Sequence, residues 1–274
     1  MSTLMENFFN NRANALLGRG FGRSACVRSG ECGKLHRAIA RSPRLQKSLQ
    51  PNNFPNFLMS LQLRVYVPPH PLIKHWLAVA RDAGTPSVLF RSAMTELGRW
   101  LAYEAIREWL PTVETTVQTP VGECAAAFIN PQSPLVVVPV LRAGLALLEG
   151  IQTVVPLASV YHLGMARNEE TLEATCYLNK LPVGFNPETR VIISEPMLAT
   201  GGTIAATMKE LVDRGVDPSL IRIISVVAAP PALQRLSAQY PSLNIYTAAI
   251  DEAVNERGFI VPGLGDAGDR TFGT

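Results

Sequence analysis

The sequence predicts an α/β protein whose parallel sheet is flanked by helices on both faces. Between residues 135 and 249, apolar strand-like runs alternate with segments of helical periodicity, which is the pattern of repeated strand–helix units. The runs are continuously apolar, as expected of strands that are covered on both sides. Ligands of such sheets bind at the carboxyl ends of the strands, so we expect the functional site at that edge.

Before residue 135 the pattern predicts a strand, two helices and a projecting hairpin arm. The first strand shows alternating apolar residues, and the helices show apolar residues at helical spacing. Pro120, Val121 and Gly122 form a turn signal between the two strands of the hairpin. The predicted bounds are a strand at 61–67, helices at 71–83 and 86–109, and hairpin strands at 114–118 and 123–128.

After residue 135 the predicted strands and helices follow one another around one irregular insertion. This insertion, 166–188, begins with polar residues, contains a strand-like stretch at 175–181, and is predicted to be a flexible arm or lid. The strands are predicted at 135–140, 159–163, 191–193, 221–229 and 243–249, and the helices at 144–154, 204–214 and 231–239.

Residues 1–58 differ in composition from the rest of the chain. They carry nine Lys or Arg residues against two acidic residues and show little periodicity, so we expect a disordered extension before a domain at 59–274. Their charge resembles that of a transit peptide, although five serines are few for one. Met59 is an alternative start of translation. We expect a cytoplasmic protein, with the plastid stroma as the alternative.

Composition also argues against several classes of function. Residues 59–274 carry sixteen basic and twenty acidic residues, which disfavours nucleic acid as a partner. Arg142 and Arg222 interrupt the longest apolar runs, so no membrane span is expected. The four cysteines lack the spacing of a zinc site, which indicates free thiols, and Cys176 is expected to be a packing residue.

Residues 191–203 combine an apolar strand, a carboxylate and a Gly-Gly turn that leads directly into a helix. Backbone N–H groups at a helix start have no intrahelical partner and lie at the positive end of the helix dipole, so they can hold a phosphate. Glu195 would repel that phosphate unless it faces sugar hydroxyls or a metal. The segment therefore predicts a site for a phosphate, a ribose and Mg²⁺. The alternative is an ordinary helix start with Thr203 as its N-cap.

Two arginines are candidates for binding an anion. Arg142 follows an apolar strand and precedes Ala143 and Gly144, which suits a diphosphate, with a surface ion pair as the alternative. Arg167 precedes a polar stretch with two glutamates, and from the residues alone a solvated run of charge is the simpler interpretation.

The carboxyl-terminal segment 260–270 is rich in glycine yet retains apolar residues, which argues against a disordered tail. Its apolar residues follow neither the spacing of a helix nor that of a strand. Glycines at 263, 265 and 268 would allow its backbone to approach a planar base closely.

These motifs resemble those of the uracil phosphoribosyltransferase family of type I phosphoribosyltransferases. The resemblance rests on Pro-Met-Leu-Ala-Thr-Gly-Gly-Thr at 196–203 and on the segments 139–144, 167–171 and 258–270, in the family's order. It implies a type I phosphoribosyltransferase-like sheet with a base-binding loop at the carboxyl terminus. It also implies transfer of the phosphoribosyl group of phosphoribosyl diphosphate (PRPP) to uracil, giving UMP and diphosphate. Mg²⁺ would be carried by the diphosphate, without a direct protein ligand.

The resemblance further implies which residues bind each substrate, and it implies no obligatory general base. Uracil is expected at Ile260, Gly265, Asp266 and Ala267. PRPP is expected at Arg142, Arg167, Glu195, Pro196, Met197, Leu198, Ala199, Thr200, Gly201, Gly202, Thr203 and Asp266, with Arg167 on a mobile loop. Glu195 departs from the family, which usually has aspartate there.

The resemblance implies a homo-oligomer, a dimer or larger, and admits a purine nucleotide such as GTP as an allosteric ligand. The apolar helices at 71–109 also favour association, because they exceed what one sheet face needs. Two alternatives stay open: a non-enzymatic regulator of the same fold that binds nucleotide and RNA, and a phosphoribosyltransferase for another base. The charge of the domain disfavours the first, and the carboxyl-terminal loop disfavours the second.

Overall fold

A computed structural model describes residues 62–167 and 174–274. The predicted extension at 1–58 lies outside the described residues, as does the stretch 168–173 within the predicted arm. In the part of the chain that is described, no helix has the length and apolar character needed to cross a bilayer.

Strands and helices occupy most of the described residues. The strands are β1 (Arg64–Tyr66), β2 (Thr112–Thr119), β3 (Gly122–Ile129), β4 (Leu135–Leu141), β5 (Ser159–Val160), β6 (Leu163–Arg167), β7 (Ala174–Asn179), β8 (Arg190–Ser194), β9 (Met197–Leu198), β10 (Ile221–Ala228), β11 (Asn244–Ile250), β12 (Ala253–Val254) and β13 (Ile260–Val261). The helices are α1 (Pro71–Arg81), α2 (Ser87–Ile106), α3 (Leu145–Val154), α4 (Gly202–Val212), α5 (Pro230–Gln239) and α6 (Ala267–Phe272), and a 3-10 turn (Pro218–Leu220) precedes β10.

The main sheet has the strand order β1-β11-β10-β8-β4-β6-β7, with β5 beside β4 and β9 beside β10. Its pairings are parallel except that of β6 with β7. The predicted parallel sheet is therefore confirmed. Because β10, β8 and β4 are neighbours, their carboxyl ends lie side by side, with Ser194 of β8 opposite Pro139 of β4 and Ile224 of β10.

Two hydrophobic cores lie on opposite faces of this sheet. Successive residues of β8 alternate between them, because strand side chains point to opposite faces in turn. Ile192 belongs to the core that α1, α2 and α3 cover, whereas Val191 and Ile193 belong to the core that α4 and α5 cover. All three side chains are fully buried. The predicted helical layers on both faces are thus confirmed.

Strands β2 and β3 form the predicted hairpin arm as a separate two-stranded sheet. The Oγ1 of Thr119 fixes its turn by accepting hydrogen bonds from the N–H groups of Val121 and Gly122, at 3.3 and 3.1 Å. Most of its side chains are exposed, including Phe128 and Ile129.

The structure corrects three predictions. The strand predicted at 159–163 is two strands, β5 and β6, and β6 continues into the region predicted as an arm. The segment 260–270, predicted as a loop that binds the base, contains β13 and the beginning of α6. Cys176 is exposed and not packed in a core, since β7 lies at an edge of the sheet.

Candidate active site

The predicted phosphate cradle, residues 195–203, begins directly after β8 at its carboxyl end. Short strand β9 lies within it and pairs with β10. The carbonyl of Pro196 accepts hydrogen bonds from the N–H of Val226 at 2.9 Å and from the hydroxyl of Ser225 at 3.0 Å. The neighbouring strand therefore holds the chain in place just before the Gly-Gly turn.

Gly201 makes the turn into α4. Its φ of 76° lies in the left-handed region that glycine favours, and a Cβ at this position would lie 3.0 Å from the Cα of Ala232. Gly201 is the N-cap, and no side chain caps the helix. The N–H groups of the first turn, which includes Gly202 and Thr203, are thus suited to an anion. The alternative with Thr203 as N-cap is wrong, because the helix begins two residues before the predicted start at 204.

Glu195 is the first residue of the cradle, directly after β8, and only 8% of its surface is exposed. Its N–H donates to the carbonyl of Ile224 on β10, at 3.1 Å. The backbone at Glu195 is therefore tied to the neighbouring strand, and most of the residue is removed from solvent.

The turn that carries Arg142 packs against the end of β8. Gly144 is required there, because a Cβ at this position would lie 2.3 Å from the carbonyl oxygen of Ser194. The hydroxyl of Ser194 in turn donates to the carbonyl of Gly144 at 2.8 Å. Arg142 and Glu195, predicted from separate motifs, thus belong to two segments in direct contact.

The carboxyl-terminal segment meets the same turn. Nη2 of Arg142 lies 3.0 Å from Oδ1 of Asp269 on α6. A Cβ on Gly268 would lie 3.9 Å from the same Nη2. The structure therefore places Arg142 in the ion pair that was the alternative to diphosphate binding, and the partner is itself part of the candidate site.

The residues predicted to contact uracil lie in and beside the loop between β13 and α6. Asp266 is the N-cap of α6, since its Oδ1 accepts the N–H of Asp269 at 2.9 Å. The side chains of Ile260 and Ala267 are buried, whereas Gly265 and Asp266 are exposed. A base at this loop would therefore meet backbone groups instead of the Ile260 and Ala267 side chains.

Arg270 fastens this loop to the end of α1, and sequence reasoning did not single it out. Its Nη1 donates to the carbonyls of Leu264 at 2.8 Å and Ala80 at 2.5 Å, and its guanidinium lies 4.2 Å from the centre of the Phe90 ring. Burial lowers the pKa of Arg270, against an opposing effect of Asp82. The ordinary pKa of arginine is so high that the side chain remains charged at neutral pH.

Arg167 is the last residue of β6. It pairs with Ala174 of β7 in antiparallel register, so these two residues bracket the stretch 168–173. Its side chain lies outside what the structure describes, and its contact with PRPP stays a prediction.

The carboxylates of the candidate site decide whether its residues suit the expected Mg²⁺. Among residues 62–167 and 174–274, no group of three or more His, Cys, Asp or Glu side chains is arranged to hold a metal ion. Glu195, Asp266 and Asp269 are nevertheless oxygen donors of the kind that Mg²⁺ prefers, and Mg²⁺ commonly keeps several waters and binds through substrate phosphates. This donor set fits a hydrated ion that arrives on a diphosphate.

Comparison with known proteins identifies the family of these motifs. Residues 67–274 match the family model described as uracil phosphoribosyltransferase. A relative from Nostoc sp., named uracil phosphoribosyltransferase, is 76% identical over 216 residues, which are 79% of this chain and 100% of the relative. A relative of the same name from Nicotiana tabacum is 54% identical over 78% of this chain and 95% of its own length.

Two further comparisons extend this result. A relative from Arabidopsis thaliana, named chloroplastic uracil phosphoribosyltransferase, is 53% identical over 78% of this chain and 73% of its own. The solved structure of the AQ2163 protein from Aquifex aeolicus superposes with a TM-score of 0.69 at 39% identity, covering 76% of this chain and 97% of that one.

Proposed function

The chain belongs to the uracil phosphoribosyltransferase family, and from this membership we propose how its residues carry the reaction. The protein transfers the phosphoribosyl group of PRPP to uracil, giving UMP and diphosphate, as a step of pyrimidine salvage. The observation that most supports a role for the named residues is the contact between Gly144 and Ser194, because it joins the Arg142 turn to the cradle.

In our proposal PRPP lies across these two turns. The backbone N–H groups of the Ala199–Thr203 turn bind the 5′-phosphate at the start of α4, together with the hydroxyls of Thr200 and Thr203. Glu195 accepts hydrogen bonds from the ribose hydroxyls. Arg142 and Arg167 bind the diphosphate, which leaves as charge develops on it, and fixed cations stabilise that charge.

Uracil is bound by backbone groups of the loop at Ile260 and Gly265–Ala267. A ring nitrogen of uracil forms a bond to the anomeric carbon of the ribose while the bond from that carbon to the diphosphate oxygen breaks, and that nitrogen releases its proton to water. The transition state resembles an oxocarbenium ion, so positioning and charge stabilisation carry the catalysis. We assign no side chain as a general base.

Mg²⁺, when bound to the diphosphate, would neutralise part of its charge and orient it as a leaving group. Glu195 and Asp266 are the side chains that would face this ion, through its waters. No direct protein ligand is proposed.

The experiment that tests this function is formation of UMP from radiolabelled uracil and PRPP. We expect UMP with Mg²⁺, none after chelation, and recovery when Mg²⁺ is added back. A panel of other bases under the same conditions should give little product. Preference for a different base, or RNA binding without UMP formation, would contradict the proposal.

We also infer that the protein forms a homodimer or a larger assembly. The hairpin arm exposes Val113, Phe128 and Ile129, and α2 exposes Val88 and Tyr103, which offers apolar surface that a second copy of the chain could cover. Light scattering at micromolar concentration tests this, and a monomer mass would contradict it.

Control by a purine nucleotide such as GTP rests on the family resemblance alone, and rates of UMP formation with and without GTP test it.

Residues 1–58 are proposed to be dispensable for catalysis, as an extension or a targeting segment. The Nostoc relative is matched over its whole length by 216 of the 274 residues of this chain. A cytoplasmic location is proposed first and the plastid stroma second. Mass spectrometry of the native protein distinguishes them by whether and where the amino-terminal segment is removed.

A further inference from the structure

An ion pair joins the end of α1 to the residue that follows β11. Arg81 donates from Nη1 to Oδ2 of Asp251 at 3.0 Å and from Nη2 to Oδ1 at 2.5 Å. This two-point geometry is the strongest arrangement of an arginine and a carboxylate. The Asp251 side chain is only 4% exposed and the Arg81 side chain 23% exposed. The pair is therefore largely removed from the solvent screening that weakens surface ion pairs.

Both partners also hold the backbone of one residue, Gly263. Oδ2 of Asp251 accepts the N–H of Gly263 at 2.9 Å, and Nη1 of Arg81 donates to its carbonyl at 2.7 Å. Gly263 has a φ of 60°, and a Cβ there would lie 2.1 Å from the carbonyl oxygen of Ile260. The pair thus fixes both polar backbone groups at a tight turn.

Gly263 lies between the two groups of residues to which we assign uracil recognition. Ile260 precedes it by three positions and Gly265 follows by two. A base that is read by backbone carbonyl and N–H groups depends on their position to within about 0.5 Å, because each hydrogen bond weakens steeply with distance and angle. A shift of the turn at Gly263 would move the groups on both sides of it.

We propose that Arg81 and Asp251 are positioning residues for the base, acting through Gly263 on the backbone that reads uracil. This inference rests on the proposed uracil site. Neither side chain is assigned a contact with substrate. Apart from Arg167 and Asp266, the residues assigned to PRPP lie in the cradle and the Arg142 turn, which do not include Arg81 or Asp251, so loss of the pair should affect uracil use much more than PRPP use.

The test compares Asp251→Asn with the wild-type protein in UMP formation. Asparagine keeps the shape of the side chain but removes the charge that pairs with Arg81. We expect the KM for uracil to rise about tenfold or more, as for a lost charge-assisted contact, and the KM for PRPP to stay within about twofold. Arg81→Lys should give a smaller rise in the same direction, since lysine keeps the charge but cannot bind the carboxylate at two points.

A matched control is Glu210→Gln, which removes the partly buried pair of Arg214 and Glu210 near the carboxyl end of α4. We expect it to leave both KM values unchanged. Thermal melting shows whether each variant is folded, and if Asp251→Asn does not fold, Arg81→Lys carries the test.

An unchanged KM for uracil in the folded variants would overturn the proposal, and so would an equal rise in both KM values, which indicates a general structural role. Absence of UMP formation by the wild-type protein would instead contradict the proposed function. The two failures are therefore distinguishable.

Discussion

Arg142 and Asp269 face each other across the candidate site, joined by an ion pair between the turn after β4 and helix α6. Their side chains are 55% and 49% exposed, so solvent screens the pair and it contributes little to stability. The guanidinium also lies over the Phe272 ring, 5.9 Å from its centre. Asp269 thus binds the donor that we assign to the diphosphate, and the two anions compete for one cation.

Replacing Asp269 with Asn should therefore improve the use of PRPP. An exposed ion pair of this kind is worth about 0.2–1 kcal/mol, so we expect the KM for PRPP to fall by roughly 1.4- to 5-fold. Initial rates at varied PRPP measure this. The control is Asp213→Asn, which removes an exposed ion pair with Lys209 and should change nothing. A higher KM in Asp269→Asn would show that Asp269 aligns Arg142 instead of competing for it.

Replacing Arg142 with Ala should weaken the use of PRPP, because it removes a charge-assisted contact to the leaving diphosphate. The expected loss is about 1.5–3 kcal/mol, or roughly ten- to a hundredfold in kcat/KM for PRPP. Arg142→Lys should retain part of the activity, since it keeps the charge. If the dependence on PRPP concentration is the same in Arg142→Ala as in the wild type, the diphosphate role is excluded.

The sheet and the cradle could be predicted from the sequence because their signals are local. The run at 191–193 is apolar throughout, and the two glycines at 201 and 202 stand between it and a helical period. Helix α6 was missed because Gly268 and the polar residues around it give no apolar period. Its start is set by the cap of Asp266, and Arg270 ties it to backbone groups about 190 positions earlier.

The Arg81–Asp251 pair could not be predicted for a related reason, since its members are 170 positions apart. Such contacts become visible only when the order of strands is known. The role of Glu195 could be predicted from the motif alone, whereas its burial and its backbone hydrogen bond to β10 are seen only in the structure.

Replacing Gly201 with Ala should lower both stability and PRPP use. The added Cβ meets the Ala232 backbone, and the left-handed conformation disfavours any residue with a side chain. We expect the free energy of unfolding to fall by about 1–3 kcal/mol. Denaturant titration measures the change, and the matched control is Gly184→Ala, whose Cβ would meet nothing closer than 3.9 Å. Equal stability of the two variants would contradict the strained turn.

A protein that begins at Met59 should retain full activity. All residues assigned to substrates lie after position 141, and the family model matches from residue 67 onward. We expect kcat/KM for both substrates to stay within about twofold of the full chain, the range of changes away from a site. Parallel assays of the two purified proteins measure this. A large loss in the shorter protein would show that residues 1–58 contribute to the site or to folding.

The resemblance to the family implies that Glu195 stands where aspartate is usual. Glutamate places the carboxylate about 1.5 Å farther from the backbone and adds a rotatable bond, so its contacts with ribose hydroxyls are longer or pass through water unless the backbone compensates. We expect the backbone to compensate for the longer side chain, because the N–H of Glu195 is bonded to Ile224 and the other positions that match the family's motif keep the side chains needed. Glu195→Asp should then have a small effect on the KM for PRPP. Glu195→Gln should raise the KM for PRPP by roughly tenfold or more, because it removes the charge that accepts hydrogen bonds from the hydroxyls.

Since Glu195 is buried, thermal melting of both variants must accompany the kinetics to separate loss of binding from loss of folding. Equally small effects of the two changes would show that the carboxylate does not contact the ribose.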